Sequence, residues 1–233
     1  MDIDFATVID IASIFVVPIL LAVTLHEAAH GWVAWKLGDD TAYKLGRVTF
    51  NPLRHIDPVG TILIPALLVY ASTRPGSTGL FVFGWAKPVP VHFGRLGSPR
   101  RDMILVAAAG PGTNLILAIL SGAALALSPF PDSSTINQSL EFALLINVLL
   151  AIFNMLPLPP LDGGRVVVGL LPAALARPFG ELERYGFFIL VGLIFILPRV
   201  SGALGFRVNP FVWLIGGPTD YVIGIITSMM GVS

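Results

Sequence analysis

Apolar runs separated by short polar, glycine- and proline-rich stretches set the plan of this chain, and six such runs stand out. The first extends from about Phe5 to Leu37, the third from Met103 to Leu127 and the fourth from about Leu140 to Leu156. A helix needs about 20 mostly apolar residues to cross a bilayer. The second run, Val59 to Ala71, carries Pro65 and is short for a span; the fifth, Phe187 to Leu197, is short unless it begins near Leu182. The sixth, Val208 to Met230, is interrupted by Gly216-Gly217-Pro218. Between the second and third runs, Phe81 to Val91 is β-prone, and its prolines suit an edge strand or hairpin. The pattern shows no internal repeat. It predicts one integral membrane domain over residues 1–233, with a core over about 5–170 and peripheral C-terminal segments over about 182–230.

Composition agrees. Apolar residues make up 55% of the chain and charged residues 12%, with a mean hydropathy of +0.84. A soluble domain carries about a quarter charged residues. The net charge is zero and no basic stripe suggests nucleic acid. Absence of cysteine excludes disulfides and thiolate-held metal. The start of the chain is acidic, at Asp2, Asp4 and Asp10, unlike a cleaved signal peptide, so the first run is expected to be retained as a membrane helix.

Charge placement adds orientation. Nine of the fourteen Lys and Arg fall between Lys36 and Arg101; Arg165, Arg177 and Arg184 follow the fourth run, and the Ser128 to Ser139 loop has none. By the positive-inside rule the two basic regions are cytoplasmic. The second run then has both flanks on one side and is expected to be re-entrant or interfacial.

Candidate chemistry lies in the last turns of the first run, as His26-Glu27-Ala28-Ala29-His30. Residues four apart share a helix face, so both imidazoles can bind one metal ion, with Glu27 beside them to take a proton from water. A catalytic zinc usually takes a third protein ligand. Asp162, in Pro159-Pro160-Leu161-Asp162-Gly163-Gly164 after the fourth run, is the best candidate, because a carboxylate there is costly unless paired or bound. Parity supports it: if the second run does not span, Asp162 returns to the face that holds His30. Asp162 as a turn residue capping the next helix is the bland alternative.

At these residues the sequence resembles the site-2 protease family of intramembrane metalloproteases. The resemblance rests on His26-Glu27-Ala28-Ala29-His30, on Asn154…Pro157…Leu161-Asp162-Gly163, and on Ala109-Gly110-Pro111-Gly112-Thr113-Asn114-Leu115. It implies one Zn2+ per chain held by His26, His30 and Asp162, Glu27 as general base, and Asn154 close to the catalytic centre. It also implies an all-α polytopic bundle whose three-helix catalytic core is formed by the first, third and fourth runs, with a small β element at the cytoplasmic face. The expected substrates are transmembrane proteins or peptides in the cell (inner or plasma) membrane. No family-type PDZ insertion or cystathionine-synthase-like tail is present, so the chain reads as a minimal form.

Phe83, Gly84, Trp85 and Val89 are the candidate substrate contacts, on the expectation that an unwound substrate adds to the Phe81–Val91 edge. Asn154 and Asn114 are each open to a plain helix-bracing role. His55 and His92 read as interfacial structural residues, and Trp32, Trp35 and Trp85 as an aromatic belt. Two other functions fit the same ligands: a catalytically silent membrane scaffold, and a divalent metal transporter. Clustering of the polar groups at one face argues against a transit path, and Glu27 argues against a silent site. Two His and one carboxylate suit zinc and also accept other divalent ions.

Overall fold

The structure is a computed structural model and describes residues 4–64, 67, 70, 84, 86–205 and 208–231. Among the described residues it is organised by helices α1 (Phe5–Lys36), α2 (Thr41–Lys44), α3 (Pro99–Ala126), α4 (Thr135–Asn154), α5 (Asp162–Leu170), α6 (Ala173–Gly180), α7 (Glu183–Ala203) and α8 (Gly217–Met230). Among the described residues, α1, α3, α4 and α7 are long and apolar enough to cross a membrane.

The ends of these helices follow local chemistry. Gly38, at φ 113°, turns the chain after α1 in a left-handed conformation that a side chain resists. Pro99 opens α3, and the Asp102 carboxylate in its first turn accepts from the Ser98 amide at 2.7 Å. Ser134 caps α4, its hydroxyl accepting from the Asn137 amide at 3.1 Å.

Prolines inside the apolar runs do not end the helices. Wide π turns at Ala12–Val16, Gly192–Ile196 and Val212–Gly216 each stop two residues before a proline, Pro18, Pro198 and Pro218 respectively. A proline lacks the N–H and its ring crowds the carbonyl four residues back, and a locally widened turn relieves both. The Gly216-Gly217-Pro218 interruption expected in the sixth run is therefore absent, and helix continues through it into α8.

Helix α3 is central and packs against α1, α4 and α5, with α8 across α3 and α4. Ala118, Leu144, Val148 and Ile226 form one buried cluster, and a Cβ on Gly122 would come within 2.8 Å of Ile226. The distribution of polarity is the reverse of a soluble bundle. Asn114, Asn147 and Thr24 are buried at the helix interfaces, while Leu21, Ile116 and Leu120 of the same or neighbouring helices are more than half exposed. An apolar solvent accounts for that order, since it leaves the interior as the place where side-chain polar groups find partners.

A second expectation changes. The described residues contain no strand, so the small β element is not found among them; Gly84 and 86–91 have no regular secondary structure, and Phe81, Val82, Phe83 and Trp85 lie outside the described residues. The reason is visible in the donors. Pro88 and Pro90 have no N–H, and the two that remain in 87–90 are used elsewhere: Lys87 donates to the His55 carbonyl at 2.9 Å, and Val89 to the Glu27 carboxylate at 2.7 Å. Of the second run, Pro58–Leu63 forms a π turn whose first amides are capped by Asp57, while most of 65–71 lies outside the described residues.

Candidate metal centre

Two helix faces meet in opposite directions to build the site. On α1 the face carries Ala22, His26 and His30; on α3 it carries Val106, Gly110 and Asn114, all at four-residue spacing. The contacts run antiparallel. Asn114 Nδ2 donates to the Ala22 carbonyl at 3.3 Å, His26 Nδ1 meets Asn114 Oδ1 at 2.5 Å, and His30 Nδ1 meets the Val106 carbonyl at 2.7 Å.

These partners fix the protons. A carbonyl only accepts, so the His30 Nδ1 carries hydrogen, and in the neutral, metal-binding form of the ring its Nε2 keeps a lone pair. The same rule works through a relay for His26. Asn147 Nδ2 donates to the Ala143 carbonyl at 2.8 Å, which turns Asn147 Oδ1 toward the Asn114 Nδ2, 2.8 Å away. With Nδ2 committed to Asn147 and Ala22, Asn114 presents Oδ1 to His26, whose Nδ1 must donate. Both Nε2 lone pairs therefore face the same point.

Asp162 completes the cluster from the first residue of α5. Its Oδ2 lies 3.2 Å from His26 Nε2 and 3.3 Å from His30 Nε2, and the two Nε2 atoms are 3.0 Å apart. Close packing of the turn before α5 brings Asp162 into place. A Cβ on Gly163 would stand 2.2 Å from the Met155 carbonyl oxygen, one on Gly164 2.3 Å from Pro159 N, and one on Gly186 of α7 1.9 Å from the Pro159 carbonyl oxygen.

A divalent cation fits this arrangement. Tetrahedral zinc with bonds of about 2.0–2.2 Å separates its ligand atoms by about 3.3–3.5 Å, close to the 3.0–3.3 Å seen here. Two lone pairs and a carboxylate oxygen converge without a donor of their own, which is repulsive unless a positive charge lies among them. Gly110 keeps the space clear: a Cβ there would sit 2.4 Å from His30 Nε2 and 2.6 Å from His26 Nε2. Among the described residues, His26, His30 and Asp162 are the group of three or more potential ligands that could hold a metal ion.

Other expected site residues lie apart from this cluster or in different roles. Glu27 is half-buried on the neighbouring face of α1, its Oε2 accepting from the Val89 amide. Asn154 is the last residue of α4; its amide nitrogen bonds the Leu150 carbonyl at 3.0 Å, and no hydrogen bond joins it to the three ligands. Gly84 is exposed, Val89 is buried, and Phe83 and Trp85 lie outside the described residues. His55 is buried, donating from Nε2 to the Thr49 carbonyl at 3.1 Å, and His92 is exposed. Sequence reasoning missed Asn147 altogether and gave Gly110 no role of its own at the site. The available signal was the spacing of Val106, Gly110 and Asn114, which mirrors that of Ala22, His26 and His30.

The chain is similar in sequence to known proteins. The model of peptidase family M50 matches residues 130–197. The Bacillus subtilis protein named "Putative zinc metalloprotease YwhC" is 39% identical over 196 residues, covering 81% of this chain and 83% of its own length. Proteins named "Putative zinc metalloprotease Rip2" from Mycolicibacterium smegmatis and Mycobacterium tuberculosis are 28% and 29% identical, covering 78% and 82% of this chain and 66% and 71% of theirs. No solved structure matches the chain.

Proposed function

The chain belongs to peptidase family M50, the site-2 protease family of zinc metalloproteases, and from that premise we propose that it hydrolyses peptide bonds within or near transmembrane segments of membrane proteins. The observation that carries this reading is the convergence of His26 Nε2, His30 Nε2 and Asp162 Oδ2 beneath Gly110, near the end of a membrane-length helix. Zinc held there supplies Lewis acidity that brings the pKa of water down to about 7.

The chain's own residues do the rest. His26 and His30 are held in one tautomer each by Asn114 and Val106, so they offer lone pairs without rearrangement. Glu27, next to a ligand and not one itself, takes the proton of the attacking water and passes it to the leaving amine. Asn154 supplies a side-chain amide to the developing oxyanion once it releases the Leu150 carbonyl. The basic 36–101 and 165–184 regions favour a centre near the cytoplasmic face of a multi-pass protein in the cell (inner or plasma) membrane, with the second apolar run re-entrant or interfacial.

The direct test uses a fluorogenic transmembrane peptide in phosphatidylcholine vesicles. Glu27→Gln keeps a hydrogen-bonding side chain and loses the base. It is expected to retain metal, measured by elemental analysis, while cleavage falls by about 100-fold or more. Cleavage at the wild-type rate would refute the base assignment.

A further inference from the structure

The segment 86–97 runs as a strap beside the C-terminal half of α1. It is fastened at both ends. Arg47 donates to the Lys87 carbonyl at 2.7 Å and the Lys87 amide to the His55 carbonyl at 2.9 Å; further on, the His92 amide donates to Asp39 Oδ2 at 2.6 Å and the Gly97 amide to the Leu37 carbonyl at 3.0 Å. Between those points lies Pro88-Val89-Pro90, a triplet with one backbone N–H. That N–H donates to Glu27 Oε2 at 2.7 Å. The Val89 side chain is buried against Gly31, one turn along α1 from Glu27, where an added Cβ would meet Val89 Cγ1 at 3.0 Å.

Four features thus serve one contact. Two prolines fix the local backbone, Gly31 admits the Val89 side chain, and the strap is tied on both sides. No other hydrogen bond to the Glu27 carboxylate exists among the described residues. We infer that the Val89 backbone N–H is a positioning group for Glu27: it anchors one carboxylate oxygen and leaves the other to receive the proton. The inference rests on Glu27 being the general base. It also gives Val89 a partner within the chain in place of the substrate.

Replacing the Pro88–Val89 amide by an ester, with 2-hydroxyisovalerate at position 89, removes the N–H and keeps the side chain. With the same transmembrane peptide in phosphatidylcholine vesicles, kcat is expected to fall about 10- to 100-fold with KM and bound zinc unchanged. Val89→Ala, which retains the N–H but loosens its seat against Gly31, is expected to lower kcat less than the ester does. A rise in KM at constant kcat would mean that the N–H serves substrate, a rise in kcat would mean that the strap is a brake, and unchanged kinetics would mean that the contact is structural; each overturns the inference. A second measurement does not depend on turnover: amide exchange at Val89 is expected to be at least about tenfold faster in Glu27→Ala than in wild type, and equal rates would also overturn it. Glu27→Gln separates the two readings. Full activity in that variant sinks the base assignment, whereas an inactive Glu27→Gln beside a fully active ester sinks the positioning role alone.

Discussion

Asn114 shows how a single side chain can decide the chemistry of another. Its amide is turned by two carbonyl-type acceptors, Ala22 and Asn147, and the turned amide then sets the His26 tautomer. Outer partners of this kind typically tune metal affinity by about 10- to 100-fold. Asn114→Ala is accordingly expected to weaken zinc binding by about that factor in chelator competition while the helices persist. Asn147→Ala should shift affinity in the same direction, and the double variant should fall short of the sum, because both act through one imidazole. His30 needs no such relay, since the Val106 carbonyl fixes it directly. Asp39 offers a residue-scale pH effect. Burial pushes its carboxyl up, but the Thr41 hydroxyl and the His92 and Thr41 amides outweigh it and leave it below the ordinary value of 3.8. A lowered folded value means that the contact stabilises the strap above that pH and is lost as the pH falls through it. Exchange of the His92 amide is therefore expected to be faster in Asp39→Asn than in wild type at pH 7, with the difference vanishing in strong acid.

At the scale of elements, the turn joining α4 to α5 governs where Asp162 stands. Gly163, Gly164 and Gly186 let three backbones approach closer than any Cβ allows. Gly164→Ala should displace the start of α5, destabilise the protein by about 1–3 kcal/mol and lower zinc stoichiometry, read by thermal unfolding and elemental analysis on one preparation. The π turns before Pro18, Pro198 and Pro218 act differently, preserving helix continuity where a proline would otherwise break it. The strap is the element that sequence pattern misjudged. The β-prone, proline-bearing stretch from Phe81 to Val91 suggested an edge strand, but pairing needs free donors, and among its described residues Lys87 and Val89 spend theirs on His55 and Glu27.

For the whole molecule, an apolar exterior and polar helix interfaces fit a bilayer, and the bias of basic residues supports the proposed orientation. Since the chain has no cysteine, single-Cys variants report topology cleanly. Lys44→Cys is expected to react with a membrane-impermeant maleimide only from the cytoplasmic side and Ser133→Cys only from the opposite side; the reverse labelling would invert the orientation. What the sequence determined by itself is whatever depends on local spacing. Helical period four put His26 and His30 on one face, run lengths marked the long helices, and the cost of a carboxylate at a membrane-helix end singled out Asp162. The tertiary structure decided the rest. Every residue has a carbonyl and all but proline an N–H, so a sequence cannot mark Val106 and Ala22 as the acceptors that fix the imidazoles, nor Val89 as the donor that holds Glu27. Those assignments follow from which segments meet and in which direction, and residues 62 to 92 apart in the chain settle that only by packing.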